Sequence, residues 1–335
     1  MGKSIISPAR LDGILPGGKV YGNVAQRLLA TGMKANALRT NDTLRKDEWK
    51  ELDETVIKIS RQRLVGVQDL IGRGLVYNLG NGLGTTVLEY EKESDISEAQ
   101  MNMDAATRGA GDRITYDIGY LPLPIVHKDF QISIRALEAS RKLGMPLDTA
   151  TAAMAATKVS EKIEEILFTG ASSYTFGGGT IYGYTDFSSN SVTLEDEWDA
   201  SGTSGSDILD DVRAMKQASI DAKHYGPWML YVPTNYETAL DNDYSTSYPN
   251  VTIRDRIKQV NGILDVRVAD YLTDDKVVMV EMTPETVRMV IGLQPTTVEW
   301  ETEGGMITHF KVMAIMVPQI RSDKDGNSGI VLLSA

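Results

Sequence analysis

Two short stretches of alternating residues, joined by a long polar segment, place the strongest constraint on the fold of this chain. Residues 86–90 and 114–118 each alternate apolar with polar side chains, and more than twenty mostly polar residues separate them. Two strands joined in this way form a projecting hairpin with almost no core of its own. An isolated ribbon is marginal in water, and its edges invite pairing. The sequence therefore predicts an oligomer in which this extended loop, residues 85–120, lies over a neighbouring subunit.

Residues 143–170 are predicted to form a long amphipathic helix, which we call the spine. Gly144 and Pro146 end the preceding segment, and Asp148 or Thr149 is placed to cap the first free amides. The predicted apolar face comprises Met154, Val159, Ile163, Ile166 and Leu167. The predicted polar face comprises Lys158, Glu161, Lys162, Glu164 and Glu165. Gly170 ends the helix, as a residue that readily takes the left-handed conformation.

The chain before the hairpin divides into an irregular arm and a helix. Prolines and glycines interrupt any period in residues 1–43, so the arm is either disordered or laid against another surface. From Leu44 onwards, apolar residues recur every three or four positions, which predicts an amphipathic helix. The helix is expected to end near residues 64–66, where a glycine-punctuated connection begins.

Between the hairpin and residue 290 the sequence indicates a short helix, the spine and an α/β unit. The short helix is predicted over 134–142, and residues 195–199 form an acidic loop. Capping boxes are predicted at Ser204 with Asp207, Thr234 with Glu237, and Thr252 with Asp255. The helical face after Ser204 comprises Ile208, Val212, Met215 and Ser219. Strands over 228–232, 264–268 and 277–282 complete a compact unit, expected to be a separate domain.

The end of the chain is predicted to be β-structure. Residues 287–291, 297–302 and 306–317 are rich in β-branched and apolar side chains. A turn over 325–327 precedes a last strand over 330–333. These late strands are expected to return to the spine.

Composition excludes several classes of function. The 34 basic and 46 acidic residues give a net charge of −12, which opposes sequence-specific binding to nucleic acid. The absence of cysteine excludes disulfides and thiolate chemistry and fits synthesis in a reducing cytosol. No apolar run approaches the roughly 20 residues that a membrane span requires.

The search for chemistry in the sequence yields no candidate that outweighs a structural explanation. His127, His224 and His309 lie far apart and lack metal-ligand spacing. The glycines of residues 80–84 precede a strand-like segment rather than a helix, so a bend is favoured over a phosphate loop. Glu164 and Glu165 are interpreted as part of a solvated or interface face, because an acid–base pair requires burial. The sequence predicts no catalytic, cofactor-binding or metal-binding residue.

Five short segments carry a family resemblance: residues 48–53 (EWKELD), 165–170 (EILFTG), 182–184 (YGY), 226–227 (GP) and 310–312 (FKV). In their order along the chain, they resemble the tailed-phage major capsid fold that encapsulins share, an α+β fold also called the Hong Kong-type fold. The resemblance runs from about Leu44 to the end of the chain. The local sequence is similar to the encapsulin branch of this superfamily. Four segments are closer to phage capsid proteins, namely LRKDEW, LGTTVLEY, KDFQISIRAL and EEILFTG. The chain departs from a typical encapsulin in its greater length and in some forty additional residues at its start.

The resemblance implies a division of the chain into named parts. These are an N-terminal arm (1–43), an N-terminal helix with a glycine-rich connection (44–84), an extended loop (85–120), a peripheral domain with the spine (121–185), an axial domain (186–290) and returning strands of the peripheral domain (291–335). It also implies that the loop of one subunit crosses the spine of the next. The predicted intersubunit contacts are Asp95, Arg108 and Arg113 on the loop side and Lys158, Glu161, Lys162 and Glu165 on the spine.

The function that the resemblance implies is structural. Copies of the chain would close into pentamers and hexamers and then into the icosahedral head of a tailed phage, without catalysis. The virion capsid is then the expected location, after synthesis in the cytoplasm of a bacterial host. Expected partners are further copies of the chain, portal and scaffold or decoration proteins, and packaged DNA by non-specific proximity, but no membrane. The alternative is an encapsulin-type compartment that encloses an enzyme cargo, and an ordinary α/β enzyme ranks third.

Overall fold

The computed structural model describes residues 56, 65–94, 96, 99, 101, 103, 111, 113–135, 138, 150–187, 190–245, 248–323 and 326–334. Its helices are α1 (Val65–Gly72), α2 (Ala150–Thr169), α3 (Gly205–Asp221), α4 (Glu237–Leu240) and α5 (Ile253–Lys258). Its strands are β1 (Val76–Asn78), β2 (Val87–Glu93), β3 (Tyr116–Pro122), β4 (Val126–Ser133), β5 (Ala171–Phe176), β6 (Gly179–Ile181), β7 (Asn190–Thr193), β8 (Trp228–Val232), β9 (Asp243–Ser245), β10 (Tyr248–Thr252), β11 (Ile263–Val268), β12 (Lys276–Glu281), β13 (Val287–Thr302), β14 (Ile307–Ile320) and β15 (Ile330–Ser334). The predicted arm lies outside these residues. So does the predicted helix from residue 44 to residue 64, except for Val56.

A five-stranded sheet, in the order β11-β8-β12-β15-β7, is buried on both faces. Every residue of β8 is buried, which explains its continuous apolar sequence WMLYV. Trp228, Leu230 and Val232 belong to the core beneath α3 and α5. Met229 and Tyr231 point the other way and belong to the core that contains the spine. The sheet therefore lies between two helical layers.

A four-stranded sheet, in the order β1-β13-β14-β4, packs against the spine α2. Small residues on the helix, among them Ala152, Ala155 and Ala156, are buried against this sheet. On the sheet, the rings of Phe130 and Phe310 stack with their centroids 5.0 Å apart. Since side chains from both sheets meet in the core around α2, the α/β unit predicted after the spine shares its hydrophobic core with that helix.

The predicted spine is confirmed as α2, and it ends at Thr169 with Gly170 in the left-handed region at φ +73°. Residues 143–149, which include the predicted cap, lie outside the described part of the chain. Two side chains were placed on the wrong face. Met154 is 69% exposed, and Glu164 is only 3% exposed. At 3.6 residues per turn, Glu164 shares the buried face with Ser160 and Leu167, whereas Met154 lies off that face.

The predicted hairpin is confirmed as β2 and β3. The two strands pair antiparallel over seven positions, from Val87 opposite Pro122 to Glu93 opposite Tyr116. Leu121 at its base is buried. Its outer part packs little, because Tyr116 and Ile118 are 57% and 54% exposed.

The predicted helix starts have mixed outcomes. Ser204 forms the full capping box with Asp207, and the Thr252 side chain accepts a hydrogen bond from the amide of Asp255 at 3.1 Å. The box predicted at Thr234 with Glu237 is wrong. A 3₁₀ segment begins there directly after Pro233, and it has no side-chain cap.

Several described elements differ from the sequence prediction. The helix α1 begins where the preceding helix was expected to end, and the strands β1, β4, β5, β6, β7, β9 and β10 were not predicted. The two strands predicted over 287–302 form one strand, β13, with register shifts on both sides of Leu293.

The last strand, β15, does not return with β13 and β14. It pairs with β12 and β7 in the five-stranded sheet, and its residues Ile330 and Leu332 pack in the core that contains the spine. The choice of partner depends on residues far away in sequence, which local patterning does not encode.

Candidate assembly surface and buried junction

One face of the β2–β3 hairpin combines acidic and apolar side chains. Because alternate residues of a strand share a face, Glu89, Glu91 and Glu93 of β2 lie on one side of the ribbon. Directly opposite them, on the same side, lie Tyr120, Ile118 and Tyr116 of β3. All six residues are exposed. We call this surface the ribbon face.

The other face of the ribbon is partly closed by its own side chains. Tyr90 lies over Gly119, where an added Cβ would come within 2.5 Å of the tyrosine ring. Lys92 stands opposite Asp117. The ribbon is therefore two-sided, and the ribbon face is the side with large uncovered apolar groups.

The four predicted contacts on the spine lie together along α2 and form two ion pairs. Lys158 Nζ lies 2.7 Å from Glu161 Oε2, and Lys162 Nζ lies 2.7 Å from Glu165 Oε1. The two lysine side chains are 64% and 51% exposed. Such exposed pairs contribute little to stability, typically about 0.5 kcal/mol or less each.

The three predicted contacts on the loop side are only partly described. Arg113 is exposed, just before β3. Asp95 and Arg108 lie outside the described residues. An intersubunit role for all seven side chains remains a prediction.

Beneath the spine lies a buried polar junction that the sequence did not predict. The carboxylate of Glu164 accepts hydrogen bonds from the backbone amides of Gly66 at 2.7 Å and of Val67 at 3.4 Å. It therefore caps the N-terminus of α1, whose first amides lack partners within the helix. The only sequence signal was the position of Glu164 one turn from Ser160 and Leu167.

The electrostatics of this junction are dominated by burial. Burial raises the pKa of Glu164 to about 7, against the lowering effect of the two amide hydrogen bonds. Burial also raises the pKa of Asp69, although Arg267 lies 3.4 Å away and the Tyr231 hydroxyl donates to Asp69 at 3.1 Å.

An aromatic cluster closes the junction from the side of the five-stranded sheet. The ring of Phe168 packs edge-on against Tyr184 and Tyr231, at centroid distances of 5.6 and 5.1 Å. The amide of Tyr184 also donates to the carbonyl of Leu167 at 3.0 Å, near the end of α2. Because both oxygens of Glu164 face backbone amides, the junction can order α1 and bind a proton, and it offers no arrangement for attack on a substrate.

The three histidines all have structural partners. His127 Nδ1 lies 3.5 Å from Asp129, and His309 Nε2 lies 2.7 Å from the hydroxyl of Thr302. His224 Nδ1 lies 2.6 Å from Oε2 of the buried Glu281. Each of the three histidines therefore has a partner within the described chain.

Among the described residues, one group of carboxylates lies close enough together to hold a cation. The ligand atoms of Glu197, Asp199 and Asp275 all lie within 4.8 Å of one another. The first two are exposed and the third is half-buried, an arrangement that acidic surface loops often show. None of the helices in the described ranges is long and apolar enough to cross a membrane.

Two sequence comparisons identify proteins that are similar to this chain. The sequence profile of a family of unknown function (DUF6260) matches residues 36–333. The type 1 encapsulin shell protein EncA of Myxococcus xanthus (strain DK1622) is 26% identical over 236 residues, which cover 70% of this chain and 71% of EncA.

Two solved structures extend the comparison to the fold. The chain of a virus-like particle from Pyrococcus furiosus superposes with a TM-score of 0.59 at 18% identity, covering 85% of this chain and 99% of the other. The capsid of Myoviridae phage XM1 superposes with a TM-score of 0.61 at 11% identity, covering 80% and 92%. The α+β fold shared by phage capsids and encapsulins is thereby confirmed.

Proposed function

The chain belongs to the family of unknown function DUF6260, and we propose that it is a structural protein whose copies assemble into a closed icosahedral shell. The observation that carries the proposal is the extent of the shared fold. The superposition covers 99% and 92% of two chains that come from a virus-like particle and a capsid. Shells of this kind form by repeated head-to-tail contacts between identical subunits, first in pentamers and hexamers.

The ribbon face supports assembly independently of the comparisons. Tyr116 and Ile118 leave more than half of their surface in water, on a two-stranded ribbon with little core. A neighbouring subunit that covered this face would bury them. We infer that the neighbour's spine supplies the cover, because the ammonium groups of Lys158 and Lys162, although each is paired within the helix, are more than half exposed and can also contact Glu89, Glu91 or Glu93.

The specific role that we propose is the major capsid protein of a tailed bacteriophage, located in the virion and made in the host cytoplasm. Its partners would be other copies of itself, a portal, and scaffold or decoration proteins. Packaged DNA would be a neighbour without a specific contact, since a net charge of −12 disfavours tight binding to phosphate. The mechanism is mechanical and needs no catalytic residue. The arm, residues 1–43, would tie subunits together.

A second candidate, an encapsulin-type compartment with an enzyme cargo, is favoured by the 26% identity to EncA. Gene neighbourhood separates the two candidates. A portal, protease or terminase gene beside this one indicates a phage, and a peroxidase or ferritin-like gene indicates a compartment. The particle contents give the same decision, since a head holds nuclease-protected double-stranded DNA and a compartment holds protein.

We expect the purified full-length protein to form closed particles. Negative-stain electron microscopy and sedimentation velocity, over a range of salt and protein concentrations, measure this directly. A preparation that stays strictly monomeric and particle-free under all conditions contradicts the shell proposal. The particles would also give the material for testing the contents.

Charge reversal on the spine tests the proposed contact with the ribbon face. The double variant Glu161→Lys, Lys162→Glu keeps the net charge of the helix, breaks both ion pairs of the spine and places a negative charge at position 162, where the acidic ribbon of a neighbour would lie. We expect the circular dichroism spectrum to be unchanged, a stability change within about 1 kcal/mol, and a particle yield at least tenfold lower.

A control for charge reversal outside the spine exists on α3. Asp210 and Arg213 form an exposed pair with the same 2.7 Å distance and the same spacing of three residues. The variant Asp210→Arg, Arg213→Asp should assemble as the wild type does. If the spine variant also forms shells at wild-type yield, the spine is not the surface that the ribbon face contacts.

A further inference from the structure

Helix α1 is attached to the spine through very close packing at its first turn. A Cβ added at Gly66 would lie 2.8 Å from Leu167 Cδ2 and 3.0 Å from the ring of Phe168. The absence of a side chain at this position allows the backbone to reach the spine. The same approach brings the amide of Gly66 to within 2.7 Å of the Glu164 carboxylate.

The attachment is made at the first turn of α1. Glu164 accepts hydrogen bonds from the first free amides of that helix. A carboxylate at a helix N-terminus satisfies amides and complements the helix dipole. Loss of this cap would loosen the packing of α1 on the spine.

The titratable groups near Glu164 make its ionised form unfavourable. They come from α1, β8, the segment after β6 and the segment after β11, and they are Asp69, Tyr231, Tyr184 and Asp270. The cation Arg267 of β11 pairs with Asp69, at a distance of 3.4 Å. Two acidic neighbours and nearly complete burial therefore oppose a charge on Glu164, and two amide hydrogen bonds favour it.

We propose that Glu164 is a proton-linked cap that sets how firmly α1 docks on the spine. Docking is firmest when the carboxyl is protonated and loosens when it ionises. A protonated carboxyl still offers its carbonyl oxygen to the amide of Gly66, but it no longer buries a charge next to Asp69 and Asp270. All of these groups belong to one subunit, so the inference does not depend on shell assembly.

The direction follows from linkage. The pKa of Glu164 is about 7 when α1 is docked, and it returns toward the ordinary 4.5 when water reaches the carboxyl. Between these values the docked state holds a proton that the undocked state lacks, so docking weakens as the pH rises. The contribution is fully present below about pH 4.5 and lost above about pH 7. Over that interval the docking equilibrium changes by up to about 10²-fold.

Hydrogen–deuterium exchange on the full-length protein tests this inference. Exchange of the peptide spanning α1 is compared at about pH 5.5 and about pH 8 after correction for intrinsic chemical exchange. The peptide spanning α3 serves as an internal reference. We expect the opening equilibrium of α1, relative to α3, to be at least tenfold larger at the higher pH in the wild type.

Two variants separate the cap from general charge effects. Glu164→Gln keeps an oxygen for the Gly66 amide without a charge, so α1 should stay protected at both pH values. Glu165→Gln removes the same charge from the exposed side of the same helix and should keep the wild-type pH dependence. Equal α1 opening at both pH values in the wild type overturns the proposal, even if Glu164→Gln does not fold. A wild-type pH dependence that persists in Glu164→Gln, or vanishes in Glu165→Gln, overturns it equally.

Discussion

Phe168→Ala is expected to destabilise the subunit by about 3–5 kcal/mol, the usual cost of truncating a buried phenylalanine. The side chain is completely buried, and its ring contacts Tyr184 and Tyr231 edge-on at 5.6 and 5.1 Å. Because the first turn of α1 packs on the same ring, the surrounding structure has little freedom to fill the cavity. Urea unfolding of unassembled subunits, followed by tryptophan fluorescence and circular dichroism, measures the loss.

Phe176→Ala is the matched control for this prediction. Phe176 lies on β5 and is 51% exposed, so its removal should change the free energy of unfolding by less than about 1 kcal/mol. Similar losses in the two variants would show that the aromatic cluster is not central to stability. We also expect one cooperative transition in Phe168→Ala, since Tyr231 belongs to the five-stranded sheet and Phe168 to the spine.

The elements that the sequence predicted well are those whose signal is local. The alternation in residues 86–90 and 114–118 predicted the hairpin, because a repeat of two residues is the period of an extended strand. The capping box at Ser204 predicted the start of α3, because both partners lie within three residues of each other. The spine was predicted from its period of 3.6 residues and from the glycine that ends it.

The errors arose where distant residues decide the outcome. Glu164 was placed on the polar face because it is charged, but the amides that satisfy it lie 98 and 97 residues earlier in the chain. The sheet that contains the last strand, β15, was not predicted, because its partners β12 and β7 are chosen by tertiary packing. Neither outcome leaves a mark in local composition.

The candidate assembly surface was predicted in part. Lys158, Glu161, Lys162 and Glu165 do lie along one helix, as periodicity required, but their ion pairs within that helix give no information about a neighbour. The combination of carboxylates and large apolar groups on the ribbon face depends on strand register, which fixes Glu91 opposite Ile118. Register was not accessible from the alternation alone.

Glu281→Ala is the second change with a large expected effect, a loss of about 3–5 kcal/mol in the free energy of unfolding. The buried carboxylate of Glu281 accepts from the Thr286 hydroxyl at 2.7 Å and from the amide of Gly226 at 3.0 Å. His224 Nδ1 lies 2.6 Å from it. Truncation leaves these polar groups without their partner at the point where β12, β13 and the turn after α3 meet. Glu285→Ala, an exposed residue four positions later, should change the stability by less than about 1 kcal/mol.

The pH dependence of stability distinguishes Glu281 from Glu164. Burial alone would raise the pKa of Glu281, but the hydrogen bonds from His224 and Thr286 outweigh it and hold that pKa below the ordinary 4.5. Its contribution is therefore present above about pH 4.5 and lost as the pH falls through the lowered value. The contribution of Glu164 has the opposite sign and is lost as the pH rises toward about 7. In a plot of the free energy of unfolding against pH, Glu281→Gln should reduce the loss of stability on the acid side, and Glu164→Gln should reduce the loss toward neutral pH. A reduction on the same side in both variants would contradict the separate assignment of the two carboxylates.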